Sequence, residues 1–163
     1  MIEYLLSRQE INILETSRGN NKTPLHYIAE LQVQDSHREL KILKSLVDRG
    51  LEINKKSKKQ GYTAVHYAAL AGNSDAVNLL YFIRADLDVP CLIGATPIQI
   101  AAQLAHVEVV EALLEYGVPK SSLFNASVDV KAYPEIILNL FAEPTQVFPF
   151  SPSQATKYKK LIF

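Results

Sequence analysis

The apolar positions of this chain fall in short helical stripes set between polar loops. Ala76, Val77, Leu79 and Leu80 follow an i, i+3, i+4 spacing, and Val109, Val110, Leu113 and Leu114 repeat it further on. That spacing predicts amphipathic helices with one buried face. Shorter segments that open on threonine occur three times: Thr23-Pro24-Leu25-His26-Tyr27-Ile28-Ala29, Thr63-Ala64-Val65-His66-Tyr67-Ala68-Ala69 and Thr96-Pro97-Ile98-Gln99-Ile100-Ala101-Ala102. Threonine is a preferred N-cap, its hydroxyl able to accept a hydrogen bond from a first-turn N–H. Pro24 and Pro97 then stand at the first helical position, where the missing N–H has no helical partner to lose. The paired alanines that follow permit close approach of neighbouring helices. Gly72 is placed to end a short helix in the left-handed conformation. Gly50 and Gly117 end the longer helices, and Arg84 stands in their place in the middle copy, which leaves the turn geometry there open. Each unit therefore reads as a helix–turn–helix joined to the next by a projecting hairpin. One such pair cannot bury its apolar face alone, so stability has to come from stacking on neighbours.

Thr63 and Thr96 are 33 residues apart, whereas Thr23 and Thr63 are 40 apart. Six of the seven extra residues fall around Gln32-Val33-Gln34-Asp35-Ser36-His37, between the two helices of the first copy, and one in the loop that follows. The threonine-led motif in a 33-residue unit resembles the ankyrin repeat, whose pattern is T-P-L-H-x-A-A. The loop endings Leu51-Glu52-Ile53-Asn54 and Ala85-Asp86-Leu87-Asp88 are similar to that family's A-D-V-N. The resemblance implies an all-α fold, an ankyrin-type α-solenoid, with an irregular helical C-terminal cap.

The expected organisation is a repeat region over 1–117: a half-repeat at 1–18, then repeats at about 19–57, 58–90 and 91–118. Ile2-Glu3-Tyr4-Leu5-Leu6 with Glu10-Ile11-Asn12 reads as the second helix and loop of a preceding unit. It is either a capping half-repeat or the continuation of a longer natural protein. Residues 119–163 read as a degenerate capping region with short helices near 120–124 and 133–141, then a Pro-rich aromatic tail.

Composition narrows the function. The 163 residues carry 17 Lys+Arg against 17 Asp+Glu, a formal net charge of zero, and 48% are hydrophobic. That excludes an acidic disordered chain and a uniformly basic nucleic-acid binder. A single cysteine, Cys91, excludes an internal disulfide and a four-cysteine zinc site. No apolar run is long enough to span a membrane, and the first residues lack the features of a signal peptide. The expectation is a soluble protein of the cytoplasm, with the nucleus or a host-cell cytosol as alternatives.

Little points to catalysis. Cys91 with His66 or His106 could form a thiol–imidazole pair, but no accompanying acid or glycine-rich motif supports one, and a structural cysteine is the expected reading. The phosphate-binding, dinucleotide and zinc-protease motifs are missing. The resemblance gives His26 and His66 structural hydrogen bonds between hairpins and helices. Gln99 stands in the same slot of the third copy, where a metal ligand would not tolerate it. No enzyme activity, cofactor or metal is expected.

Surface recognition remains. In ankyrin-type solenoids partners meet the hairpin tips and the concave face of the first helices. Carried onto this chain, the resemblance implicates Lys22, Leu31, Lys59, Gln60, Tyr62, Leu70, Leu92, Ile93, Gln103 and Leu104, and the charge run adds Lys55, Lys56 and Lys58. Tyr62, Leu70, Leu92, Ile93 and Leu104 make this strip unusually apolar for exposed positions. Lys55-Lys56-Ser57-Lys58-Lys59 holds four of the twelve lysines and reads as a basic finger that either faces an acidic protein surface or serves solubility alone. The expected function is a protein–protein interaction module: adaptor, scaffold or inhibitor. Alternatives are the substrate-recognition subunit of a ubiquitin ligase and the targeting region of a larger protein, including an effector delivered into host cells. The sequence leaves the oligomeric state open.

Overall fold

The computed structural model describes residues 19–31, 36–124, 133–135 and 137. Among them all regular structure is helical. Three helix pairs follow one another: α1 (Pro24–Glu30) with α2 (Ser36–Asp48), α3 (Ala64–Ala71) with α4 (Ser74–Phe82), and α5 (Pro97–Gln103) with α6 (Val107–Glu115). A 3-10 turn, Lys120–Phe124, comes next. The half-repeat expected at 1–18, most of the helix expected at 133–141 and the aromatic tail lie outside the described residues.

Pairs stack in register. α1 packs on α3 and α3 on α5, forming one layer, while α2 packs on α4 and α4 on α6, forming the other. Ala68, Ala69, Ala101 and Ala102 are completely buried in the first layer, where a larger side chain would force the helices apart. The second layer contributes the large buried side chains Leu43, Leu46, Leu79 and Leu113 to the same core. The 3-10 turn packs on α5, with Leu123 wholly buried. The Tyr133 hydroxyl donates to the Leu123 carbonyl at 2.6 Å, and Ile137 is buried in the same core.

The insertion in the first unit is partly accounted for. α2 has 13 residues, whereas α4 and α6 have nine each, so four of the extra residues lengthen α2 at its start. Residues 32–35 are outside the described set.

The helix ends resolve the turn at Arg84. Gly50 and Gly117 both adopt φ +90°, and Arg84 takes φ +67° in the equivalent place. Its turn closes in the same way: Arg84 N–H bonds the Tyr81 carbonyl and Ala85 N–H the Leu80 carbonyl, as Gly117 and Val118 bond Leu114 and Leu113. The departure in sequence thus leaves the backbone unchanged and places a side chain in the left-handed region. Ala105, at φ +59°, is the same case at the end of α5, where Gly72 ends α3 at φ +66°. Left-handed backbone costs a residue with a Cβ about 1–2 kcal/mol, part of which glycine returns through unfolded-chain entropy. Arg84→Gly and Ala105→Gly should therefore each stabilise the fold by roughly 1 kcal/mol, read as higher urea midpoints with unchanged slope. Gly72 admits no such exchange in reverse, because an added Cβ would lie 2.7 Å from Nδ1 of His106.

Candidate functional site

Two polar ladders cross the stack and position its recognition surface. The first is built on the fourth residue of each threonine-led motif. Thr23 N–H donates to Nδ1 of His26 at 2.8 Å, and Thr63 N–H to Nδ1 of His66 at 3.1 Å. The two threonine hydroxyls lie 2.8 and 2.9 Å from the same nitrogens. On the far side of each ring, Nε2 of His26 is 3.1 Å from the carbonyls of Lys55 and Tyr62, and Nε2 of His66 is 3.2 Å from that of Ala95. A nitrogen facing carbonyls has to carry the proton, so both rings are neutral with Nδ1 as acceptor. Burial drives the His66 pKa down to about 4 and that of His26 in the same direction.

Gln99 reproduces this pattern with an amide. Its Oε1 accepts from Thr96 N–H at 2.9 Å and its Nε2 donates to the Ser122 carbonyl at 2.7 Å. Acceptor near and donor far is what the neutral imidazole offers, so the replacement preserves the link from helix to loop. The histidines are engaged in that link at both nitrogens. Among the described residues no three His, Cys, Asp or Glu side chains gather in a way that could hold a metal. Cys91 is buried at the base of a hairpin, its N–H bonded to the Ala95 carbonyl at 2.9 Å.

The second ladder joins the hairpin tips. The described part of finger 1 comprises residues 19–21, finger 2 residues 57–61 and finger 3 residues 91–94. Finger 2 closes through Gly61 N–H to the Ser57 carbonyl, and finger 3 through Gly94 N–H to the Cys91 carbonyl. Three residues (Lys58, Lys59, Gln60) lie between the closing pair in finger 2, and two (Leu92, Ile93) in finger 3. The extra loop residue is therefore at the tip itself. Neighbouring fingers are stitched by backbone: Lys58 N–H to the Asn20 carbonyl at 2.8 Å, and Leu92 N–H to the Gln60 carbonyl at 3.0 Å. Asn21, Gly61 and Gly94 all take positive φ in the same finger position. Gly61 has a second reason to be glycine, since a Cβ there would sit 2.7 Å from Cγ of Leu92.

The basic run is divided by this geometry. Lys55 pairs with Glu52 at 2.8 Å. Lys56 reaches across to finger 3 and donates to the Pro90 carbonyl at 2.8 Å. Lys58 and Lys59, on the tip, are exposed together with Gln60. Leu92 and Ile93 are 66% and 78% exposed at the tip of finger 3.

On the first helices, Leu31, Leu70 and Leu104 are exposed, and Gln103 lies exposed beside Leu104. Lys22 is half-buried, paired with Glu30, with its ammonium 4.1 Å from the centroid of the Tyr67 ring. Tyr62 departs from the expected open strip. Its ring stacks on His66 with centroids 5.2 Å apart and planes 6° from parallel, and it meets Tyr67 edge-on. It is half-buried and packs against the core. Tyr27, which sequence reasoning passed over, is 45% exposed on α1. The motif alignment pairs it with Tyr67 and Ile100, both buried, so periodicity pointed inward.

Stacked helix pairs of fixed period, tied through a buried imidazole–amide ladder and a row of stitched fingers, define a repeat-built interaction domain. Ankyrin repeats in three copies match residues 1–91 and 33–123, and the chain belongs to the ankyrin repeat family. It is 26% identical over 101 residues to the ankyrin repeat protein FPV244 of fowlpox virus (strain NVSL), covering 62% of this chain and 15% of that protein. An ankyrin repeat protein of Rickettsia bellii (strain RML369-C) is 33% identical over 75 residues, 45% of this chain and 41% of the relative. The chain thus spans less than half the length of either. Among solved structures, the human ASB11 ankyrin repeat domain is similar with a TM-score of 0.47 and 26% identity, covering 60% of this chain and 41% of that one. Ankyrin repeats are generally protein–protein interaction modules and typically non-enzymatic. No helix among the described residues is long and apolar enough to cross a membrane.

Proposed function

We propose that this chain is a non-enzymatic adaptor, scaffold or inhibitor that binds a partner protein through its finger tips and the inward face of its first helices. The observation that carries the reading is the set of large apolar side chains left in solvent on successive repeats: Leu31 and Leu104 at equivalent places, Leu70 beside that place in the middle repeat, and Leu92 with Ile93 on a finger. Apolar side chains exposed in a row, rather than singly, mark interaction surfaces. Lys58 and Lys59 favour a partner with an acidic face opposite finger 2, and the site of action is the cytoplasm.

The test is differential capture. Wild-type protein and a Leu31→Glu, Leu70→Glu, Leu104→Glu variant are compared as baits, after thermal denaturation has shown both to be folded. Proteins held by the wild type and lost by the variant are the expected outcome. An unchanged set of captured proteins removes the first-helix face from the interface.

A further inference from the structure

Fingers 2 and 3 form one preassembled surface. Two contacts lock them together: Leu92 N–H on the Gln60 carbonyl and the Lys56 ammonium on the Pro90 carbonyl. The close seat of Leu92 against Gly61 adds a third. This surface is chemically divided. One half carries the exposed Lys58 and Lys59, the other the exposed Leu92 and Ile93. Among the described residues, finger 1 contributes Gly19, Asn20 and Asn21 beside them. The lysines that are already engaged, Lys55 and Lys56, are those at the stem.

We infer that fingers 2 and 3 together read a linear segment of a partner protein in which an acidic pair and an apolar pair stand about three positions apart. This deepens the proposed interaction function and rests on it. The charge is set by Lys58 and Lys59, which call for carboxylates, and the apolar half by Leu92 and Ile93. The spacing follows from the stack: neighbouring packed helices stand about 8–10 Å apart, and an extended chain advances about 3.3 Å per residue. Because the fingers are already stitched, the complex forms with little loss of loop freedom. A nucleic acid would engage the lysines and leave Leu92 and Ile93 in water. An anionic membrane is disfavoured because two free lysines contribute only about 1 kcal/mol each, short of the four- to eight-residue basic clusters that hold proteins to lipid.

The experiment uses the full chain and synthetic peptides followed by fluorescence anisotropy. The first probe carries two glutamates, two serines and two leucines in that order, and the second the same residues reversed, since either chain direction satisfies the surface. Further controls separate the charged and apolar pairs by eight serines, or replace glutamate with lysine. Saturable binding of at least one short-spaced acidic peptide is expected. It should weaken about tenfold in Lys58→Glu, Lys59→Glu protein and with added salt, and be lost in Leu92→Ser, Ile93→Ser protein. A control variant away from both surfaces, Glu111→Gln on the exposed side of α6, should bind the peptide as the wild type does. No binding at millimolar peptide overturns the inference, as does equal binding of the long-spaced control. Stronger lysine-dependent binding to phosphatidylserine vesicles or to a single-stranded oligonucleotide overturns it in favour of lipid or nucleic acid. Failure of the peptides, with capture through the first-helix face intact, removes this inference and leaves the proposed function standing.

Discussion

Between neutral pH and pH 4 the protein should lose about 3 kcal/mol of stability at His66 alone. The folded ring has a pKa of about 4 against the ordinary 6.5. The first cause is burial, with Lys56 and His26 acting in the same direction and the bond to the Ala95 carbonyl opposing them. A histidine depressed in the folded state binds fewer protons folded than unfolded. Its contribution is therefore complete above pH 6.5 and is lost as pH falls from there through about 4. Protonation also turns Nδ1 from an acceptor into a donor, and it then faces Thr63 N–H with nothing to offer. His26, depressed in the same direction, adds to the loss. Gln99 shows how to remove the effect. His66→Gln should keep both bonds, stay folded at neutral pH and flatten the fall in stability at acid pH. Gln99→His should steepen it. Urea titrations of the three proteins at pH 7.5, 6, 5 and 4 read the difference directly. Parallel pH profiles for wild type and His66→Gln would show that the imidazole is not the acid-sensitive element.

Leu79→Ala should destabilise the fold by roughly 2–5 kcal/mol. Leu79 is wholly buried on α4, which packs against α2 on one side and α6 on the other. Truncation leaves a cavity between three helices that are pinned by their own neighbours and cannot collapse fully. In a stacked array stability is a sum of unit terms and nearest-neighbour terms, so a central loss weakens the coupling across the whole stack. Leu113→Ala, on α6, should have a similar local cost while leaving the interface of the first two pairs intact. The distinction appears in the shape of unfolding. The central variant should broaden or split the transition seen by circular dichroism, whereas Leu113→Ala should chiefly shift it. Two sharp, equally displaced transitions would count against the nearest-neighbour description.

The features legible along the chain are those that depend on a residue's own backbone preferences or on neighbours a few positions away. Threonine followed by proline starts α1 and α5, Gly72 ends α3, and the stripe of Ala76, Val77, Leu79 and Leu80 is buried as its spacing requires. The 33-residue step then implies stacking, because no single pair can cover its own apolar face. Arg84 shows the boundary of such reasoning. Its identity left the turn geometry open, and the bonds to Tyr81 and Leu80 close a left-handed one.

The candidate surface lies mostly beyond that boundary. That Lys56 is occupied depends on Pro90, 34 residues away. Tyr62 is withdrawn from the strip by a ring stacked on it, and the free tips owe their rigidity to carbonyls of the preceding finger. Periodicity places side chains by repeat position and therefore treats equivalent residues alike. Three-dimensional packing distinguishes them, because each repeat meets different neighbours. The net charge of zero and the repeat are properties of the linear chain. The division of one surface into a lysine half and an aliphatic half arises only when two fingers are brought into hydrogen-bonding contact.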